Sequence, residues 1–139
     1  MALVLGALKI NCLYMNSNKF SLKSRFASFK FAFHGLKSLM KNEHNSRIHS
    51  LAAVVVIVMG IILKLNHYEW SLLIIVIGSV FITELLNTSL ESIADLIDPE
   101  WNEQIQKAKD YAAAAVLISA IISVVVGGLI LIPKILDLI

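Results

Sequence analysis

Residues 83–98, T-E-L-L-N-T-S-L-E-S-I-A-D-L-I-D, close the second of three long apolar runs, and no other stretch constrains the chain as strongly. At about 100° per residue, Glu84, Glu91 and Asp95 fall within a narrow arc of one helical face, with Asn87 beside them. A charge at the centre of a bilayer costs roughly 2.5–3.5 kcal/mol on insertion scales. Several acids on one face of a mostly apolar helix therefore need a cation, a partner or a water-filled site.

The three runs themselves point to a membrane. Of 139 residues, 58% are hydrophobic and only 16% charged, and the mean hydropathy is +0.78. Such a composition predicts an all-α integral membrane protein: three transmembrane helices preceded by an N-terminal amphipathic helix lying in the interface. The net charge of +2 says less than its placement, because seven of the twelve Lys and Arg lie between Lys19 and Arg47. That basic segment carries no nucleic-acid motif and joins a span, so no nucleic-acid partner is expected. The lone Cys12 makes no internal disulfide.

Residues 1–20 are expected to lie outside the functional domain, with Met15 as an alternative start, and the domain to run over 21–139. Residues 21–44 read as the amphipathic helix. Phe26, Phe29, Phe33, Leu36 and Met40 form its apolar stripe, and Lys23, Lys30, Lys37 and Lys41 flank it. Lysine stems along an apolar stripe suit a helix whose ammonium groups reach lipid phosphates. The spans are expected at 48–65, 70–97 and 99–135. His67–Trp70 should form a tight hydrated turn, and Asp98 should cap an unbroken third helix with Pro99 at its first position.

Basic residues set the orientation. They crowd the N-terminal segment and return at Lys107 and Lys109, whereas the turn near Lys64 is poor in them. The N-terminus and the region 96–110 are thus expected in the cytoplasm, and the C-terminus outside. The acidic face, Glu43 and Lys109 then meet at one cytoplasmic surface. In the third span Ala115, Ser119, Ser123 and Gly127 recur every four residues, a spacing that lets helices approach closely in lipid.

Phosphoryl transfer needs positioning and charge neutralisation more than covalent chemistry, and Mg²⁺ is commonly held by one or two carboxylates plus substrate phosphates. The chain has neither a P-loop nor a protein-kinase glycine-rich loop. A phosphate site here must rest on metal, lysine and polar groups carried by helices.

E-L-L-N-T-S-L-E-S-I-A-D resembles the signature of the small prokaryotic diacylglycerol kinase and undecaprenol kinase family. So do A-K-D-Y-A-A-A-A-V at 108–116 and N-E-H-N-S-R-I-H at 42–49. The resemblance runs from about residue 25 to 133. It implies an ATP- and Mg²⁺-dependent kinase of a membrane lipid alcohol, in the bacterial inner membrane, assembled as a homotrimer with sites shared between subunits. Residue by residue, it implies Glu84 as the general base on the lipid hydroxyl, and Glu43 and Glu91 as metal-binding acids at the nucleotide's phosphates. Asn87 matches a polar partner of that site, Lys109 and Asp110 a nucleotide-contacting pair with Lys109 on phosphate, and Asp95 a further acid near the nucleotide. Arg25 resembles the family's N-terminal arginine, one residue nearer Gly35 than the family spacing. His49 in R-I-H and the pair Glu69-Trp70 lean towards the undecaprenol type.

Other readings stay open at this level. The acids could serve a non-catalytic membrane adaptor that binds a basic partner helix. A proton or ion conduit ranks last, because 72–82 and 112–132 offer little beyond Ser and Gly. Glu43 and Arg47 are spaced as a simple i, i+4 surface pair. His34, His44 and His67 read as solvated interface residues, and Asp95, Asp98, Glu100 and Glu103 as a solvated helix end.

Overall fold

The computed structural model describes residues 22–98 and 102–138, and every regular element among them is an α-helix. Helix α1 covers Leu22–Asn42, α2 His44–Ile62, α3 His67–Ile97 and α4 Glu103–Leu136. The last three are long and apolar enough to cross a membrane. At 1.5 Å per residue they measure about 28, 46 and 51 Å, against a hydrocarbon core of about 30 Å. Helices α3 and α4 therefore extend well past the core, and their polar ends supply the excess. The expectations for 1–20 and for Pro99 and Glu100 lie outside the described residues.

The chain divides into two compact units, residues 1–34 and 35–139. In the first, Phe26, Phe29 and Phe33 leave their rings exposed, and Phe26 meets Phe29 at 6.5 Å with a 45° tilt. In the second, the end of α1 is closed by Arg47. Its Nε donates to the Met40 carbonyl at 3.0 Å and its Nη2 to the Lys41 carbonyl. The last carbonyls of a helix have no intrahelical partner and attract a cation. They claim Arg47, and among the described residues no ion pair joins it to Glu43.

The first interhelical turn lies earlier than the sequence suggests. Leu65 N–H donates to the Gly60 carbonyl at 3.1 Å and Lys64 N–H to that of Ile61 at 3.2 Å, with Lys64 left-handed at φ 52°. This pair of bonds ends α2 in a Schellman motif. Asn66 then starts α3: its Oδ1 accepts from Tyr68 and Glu69 N–H at 2.9 and 3.1 Å, and Glu69 Oε2 accepts from Asn66 N–H at 2.7 Å. This reciprocal capping box draws His67–Trp70 into the first turn of α3. Asn102 caps α4 in one direction only, accepting from Gln104 and Ile105 N–H. Asp98 ends α3 as its C-cap, not as the cap of the next helix, and α4 is described from Glu103 with Asn102 as its N-cap.

Helices α3 and α4 pack along much of their length. Leu73, Val76 and Val80 on one meet a face of α4 that buries Val116, Ser119, Gly127 and Leu131. Ser79 Oγ and Ser119 Oγ lie 2.9 Å apart, and Ser123 Oγ donates to the Val76 carbonyl at 2.9 Å. Hydroxyls in hydrocarbon need such acceptors, and each interhelical bond adds roughly 0.6 kcal/mol. Of the four-residue series on α4, Ser119, Ser123 and Gly127 face the packing, while Ala115 stays exposed. At the far end Lys134 pairs with Glu69 at 3.2 Å.

Gly60 is where α2 approaches the turn most closely. A Cβ there would stand 2.9 Å from Trp70 Cη2 and 3.0 Å from Leu65 Cδ1. Overpacking of this kind costs typically about 1–3 kcal/mol. Gly60→Val should lower the thermal unfolding midpoint in detergent, and an unchanged midpoint would contradict the close approach.

Candidate active site

The positions Leu73, Val76, Val80, Glu84, Asn87, Glu91 and Asp95 are spaced by threes and fours along α3. They share one helical face, about 100° wide. The face that packs against the neighbouring helices thus continues without a break into the acidic one. Burial falls along it: Glu84 is 3% exposed, Asn87 and Glu91 are half-buried, and the Asp95 side chain is 69% exposed. Glu84 lies about 26 Å along α3 from His67, close to the thickness of a hydrocarbon core.

The nearest polar neighbour of Glu84 comes from another helix. His49 Nε2 stands 3.3 Å from Glu84 Oε1. His49 belongs to the inward face of α2, where Ser46, His49, Ala53, Val56 and Gly60 repeat by threes and fours. The contact is of ion-pair length, and no hydrogen bond of good geometry reaches the buried Oε1. Loose catalytic contacts are common before substrate binds.

One turn further, Asn87 Nδ2 donates to Glu91 Oε1 at 3.0 Å, while its own Oδ1 is buried without a partner. A carboxylate beside an unused amide oxygen is a hard-oxygen donor set, the kind Mg²⁺ prefers. Glu43 stands at the N-cap of α2, half-buried, and its side chain makes no capping bond. Its carboxylate is therefore not consumed by the helix end. Among the described residues no three His, Cys, Asp or Glu side chains close on a common point. No described contact brings Glu43 to Glu91 or Asn87, so Glu91 and the amide would need further oxygens, from phosphate or water, to complete a shell.

Lys109 extends the site across helices. Its Nζ lies 2.9 Å from Asp95 Oδ1, joining α4 to the outer end of the acidic face. It shares the α4 face of Val116, Ser123 and Gly127, which explains why it points towards α3. Asp110 is rotated by one residue, about 100°, and its exposed carboxylate accepts from Gln106 Nε2 at 2.9 Å. No described contact brings Asp110 to the acidic face. The Arg25 side chain lies outside the described residues.

An apolar groove of about 420 Å³ lies in the membrane-spanning part, and of the polar groups near Glu84 it is lined by His49. It runs between α2, α3 and α4, with Met59 and Ile135 towards the turn and His49 and Phe81 towards Glu84. The lining is apolar apart from His49 and Ser123. His49 is the residue that sequence reasoning left out of the site. Its place on the inward face of α2 follows from spacing, but its approach to Glu84 is a contact between helices that spacing does not give.

Comparison with known proteins fits this geometry. Residues 30–131 match the prokaryotic diacylglycerol kinase family. The chain is 38% identical over 109 residues to an undecaprenol kinase of Bacillus subtilis, covering 78% of this chain and 89% of that protein. It is 40% identical over 112 residues to a diacylglycerol kinase of Synechocystis sp., covering 80% of this chain and 64% of that one. It is 33% identical over 95 residues to a diacylglycerol kinase of Escherichia coli, covering 68% and 78%. With the family match spanning most of its length and these relatives beside it, the chain belongs to the prokaryotic diacylglycerol kinase family and is a membrane lipid kinase.

Proposed function

We propose that the protein transfers the γ-phosphoryl group of ATP to the hydroxyl of undecaprenol, with diacylglycerol the second candidate acceptor. One observation carries this reading. A carboxylate 3% exposed lies 3.3 Å from His49, which lines an apolar groove, on a face that continues outward into Asn87, Glu91 and Asp95. The preference for undecaprenol rests on the R-I-H and E-W matches. It is supported by similarity covering 89% of the length of the Bacillus subtilis undecaprenol kinase.

In this reading the lipid chain lies among the apolar helices and its hydroxyl meets Glu84. The Glu84 carboxylate takes the hydroxyl proton as the lipid oxygen attacks the γ-phosphorus. The bond from that phosphorus to the bridging oxygen breaks, and ADP leaves with the electron pair. Glu43 and Glu91 would hold Mg²⁺, with Asn87 orienting Glu91; when bound, the metal neutralises triphosphate charge. Lys109 holds phosphate by a charge-assisted hydrogen bond, Asp95 keeps its ammonium directed at the site, and Asp110 contacts the nucleotide.

ATP is cytoplasmic, so the acidic face and the N-terminus belong on the cytoplasmic side of the bacterial inner membrane and the C-terminus outside. Apolar side chains of α2 such as Leu51, Val54, Val55 and Val58 are exposed in the single chain. Lipid or a neighbouring copy can cover them; the homotrimer, in which neighbouring copies complete each site, is what the family resemblance implies. The adaptor alternative finds no support among the relatives.

Glu84→Gln keeps the shape of the side chain and removes its ability to accept a proton. General-base catalysis contributes typically 10²–10⁴-fold, or roughly 3–5 kcal/mol of barrier. The variant should lose at least about a hundredfold in kcat, with binding of a non-hydrolysable ATP analogue nearly unchanged by calorimetry. Retention of more than about a tenth of the rate would remove Glu84 as the base.

The metal site has its own test. Glu43→Gln and Glu91→Gln should each raise the Mg²⁺ concentration needed for half-maximal rate while the protein stays folded. Unchanged Mg²⁺ dependence in both would place the metal elsewhere.

A further inference from the structure

The mechanism above leaves His49 unused. It comes from a different helix than Glu84, 35 positions earlier in the chain, and its Nε2 is the only cationic or imidazole nitrogen within ion-pair reach of that carboxylate among the described residues. It also lines the apolar groove at its Glu84 end. We propose that His49 is a positioning residue for the reaction: its Nε2–H holds Glu84 Oε1 and leaves Oε2 to meet the lipid hydroxyl. The inference rests on Glu84 being the base.

The physical argument starts from the burial of Oε1. That oxygen has no hydrogen bond of good geometry, and the environment is a membrane-spanning helix with little water. A carboxylate there is free to rotate about its last torsion, which is broad and two-fold in the absence of a partner. Proton abstraction needs the accepting oxygen within about 2.6–3.2 Å of the hydroxyl. A donor on one oxygen selects one of the two orientations in advance. At 3.3 Å His49 is within a few tenths of an ångström of that role. With the proton on Nε2, the ring donates to Oε1, and Nδ1 is left for another contact. The ring is one quarter exposed, so it does not serve as simple core filling.

Other candidates on the molecule do not compete for this task. Lys109 is engaged by Asp95, Lys134 by Glu69 and Lys107 by Glu103. Arg47 is turned to the carbonyls that end α1. Asn87 uses its only donor group that bonds within the face on Glu91.

A double-mutant cycle tests the proposal, because a residue acting through Glu84 loses its effect once the base is gone. Full-length protein is purified in detergent and assayed with radiolabelled ATP and undecaprenol. His49→Leu should lower kcat by about tenfold or more, a part of what a general base typically contributes, with the KM for ATP within about twofold of the parent. His49→Gln, which keeps an N–H donor, should lose less. In the Glu84→Gln background His49→Leu should change the residual rate by less than about twofold. The same fold-loss in both backgrounds would overturn the proposal, as would an unchanged kcat in the single variant. If Glu84→Gln alone keeps most of the rate, the base assignment fails first and the positioning role falls with it. Should His49→Leu lose binding of the ATP analogue, the cycle is run with His49→Gln, and additivity there is equally decisive against the proposal.

Discussion

A carboxylate near the edge of a bilayer has to be either neutralised or used, and the architecture follows from that constraint. Glu84 occupies the fourth place in a stripe whose first three, Leu73, Val76 and Val80, are packing residues. Moving it by one residue along α3 would swing it about 100° away, into lipid. Its position on the inward face keeps the charge out of hydrocarbon. The same geometry sets it 3.3 Å from His49, which lines the apolar groove. In the proposed reaction, the burial of the acid and its reach to a lipid hydroxyl would have one structural origin.

The rest of the fold holds that stripe in place. The Schellman turn and capping box fix the entry to α3, and Trp70 over Gly60 sets how α2 leaves it. Hydroxyl bonds from Ser79 and Ser123 lock the register between α3 and α4. That register carries Lys109 to Asp95 at the outer end. Moving outward along α3, the side chains change from apolar, to a buried acid, to an amide–carboxylate pair, to a lysine–aspartate pair. The order matches the order in which a lipid tail, a hydroxyl, a metal-bound phosphate and a nucleotide would be met.

Much of this order is legible in the sequence, because helical periodicity applies equally to apolar and acidic positions. The shared face of Glu84, Asn87, Glu91 and Asp95 needs nothing beyond 100° per residue, and the three spans follow from apolar length. Three features are not legible, each for a physical reason. Lys64 takes a left-handed conformation that glycine usually fills, so the turn at 63–66 carries no glycine signal. The cap of α4 is Asn102, whose side chain accepts from two free backbone N–H groups; an Asn is one of several capping residues near that start, so the sequence does not single it out. The approach of His49 to Glu84 is a contact between helices, and local spacing on either helix says nothing about its partner.

The central claim, that the acidic end of α3 faces the side of the membrane holding ATP, is tested most directly by thiol accessibility. With Cys12 replaced by Ser, single cysteines at His67 and Gln104 mark the two ends of the bundle. In intact cells a membrane-impermeant maleimide should label the cysteine at 67, and it should label the one at 104 only after permeabilisation. The reverse pattern would put Glu84, Glu91 and Lys109 on the side without ATP and contradict the account.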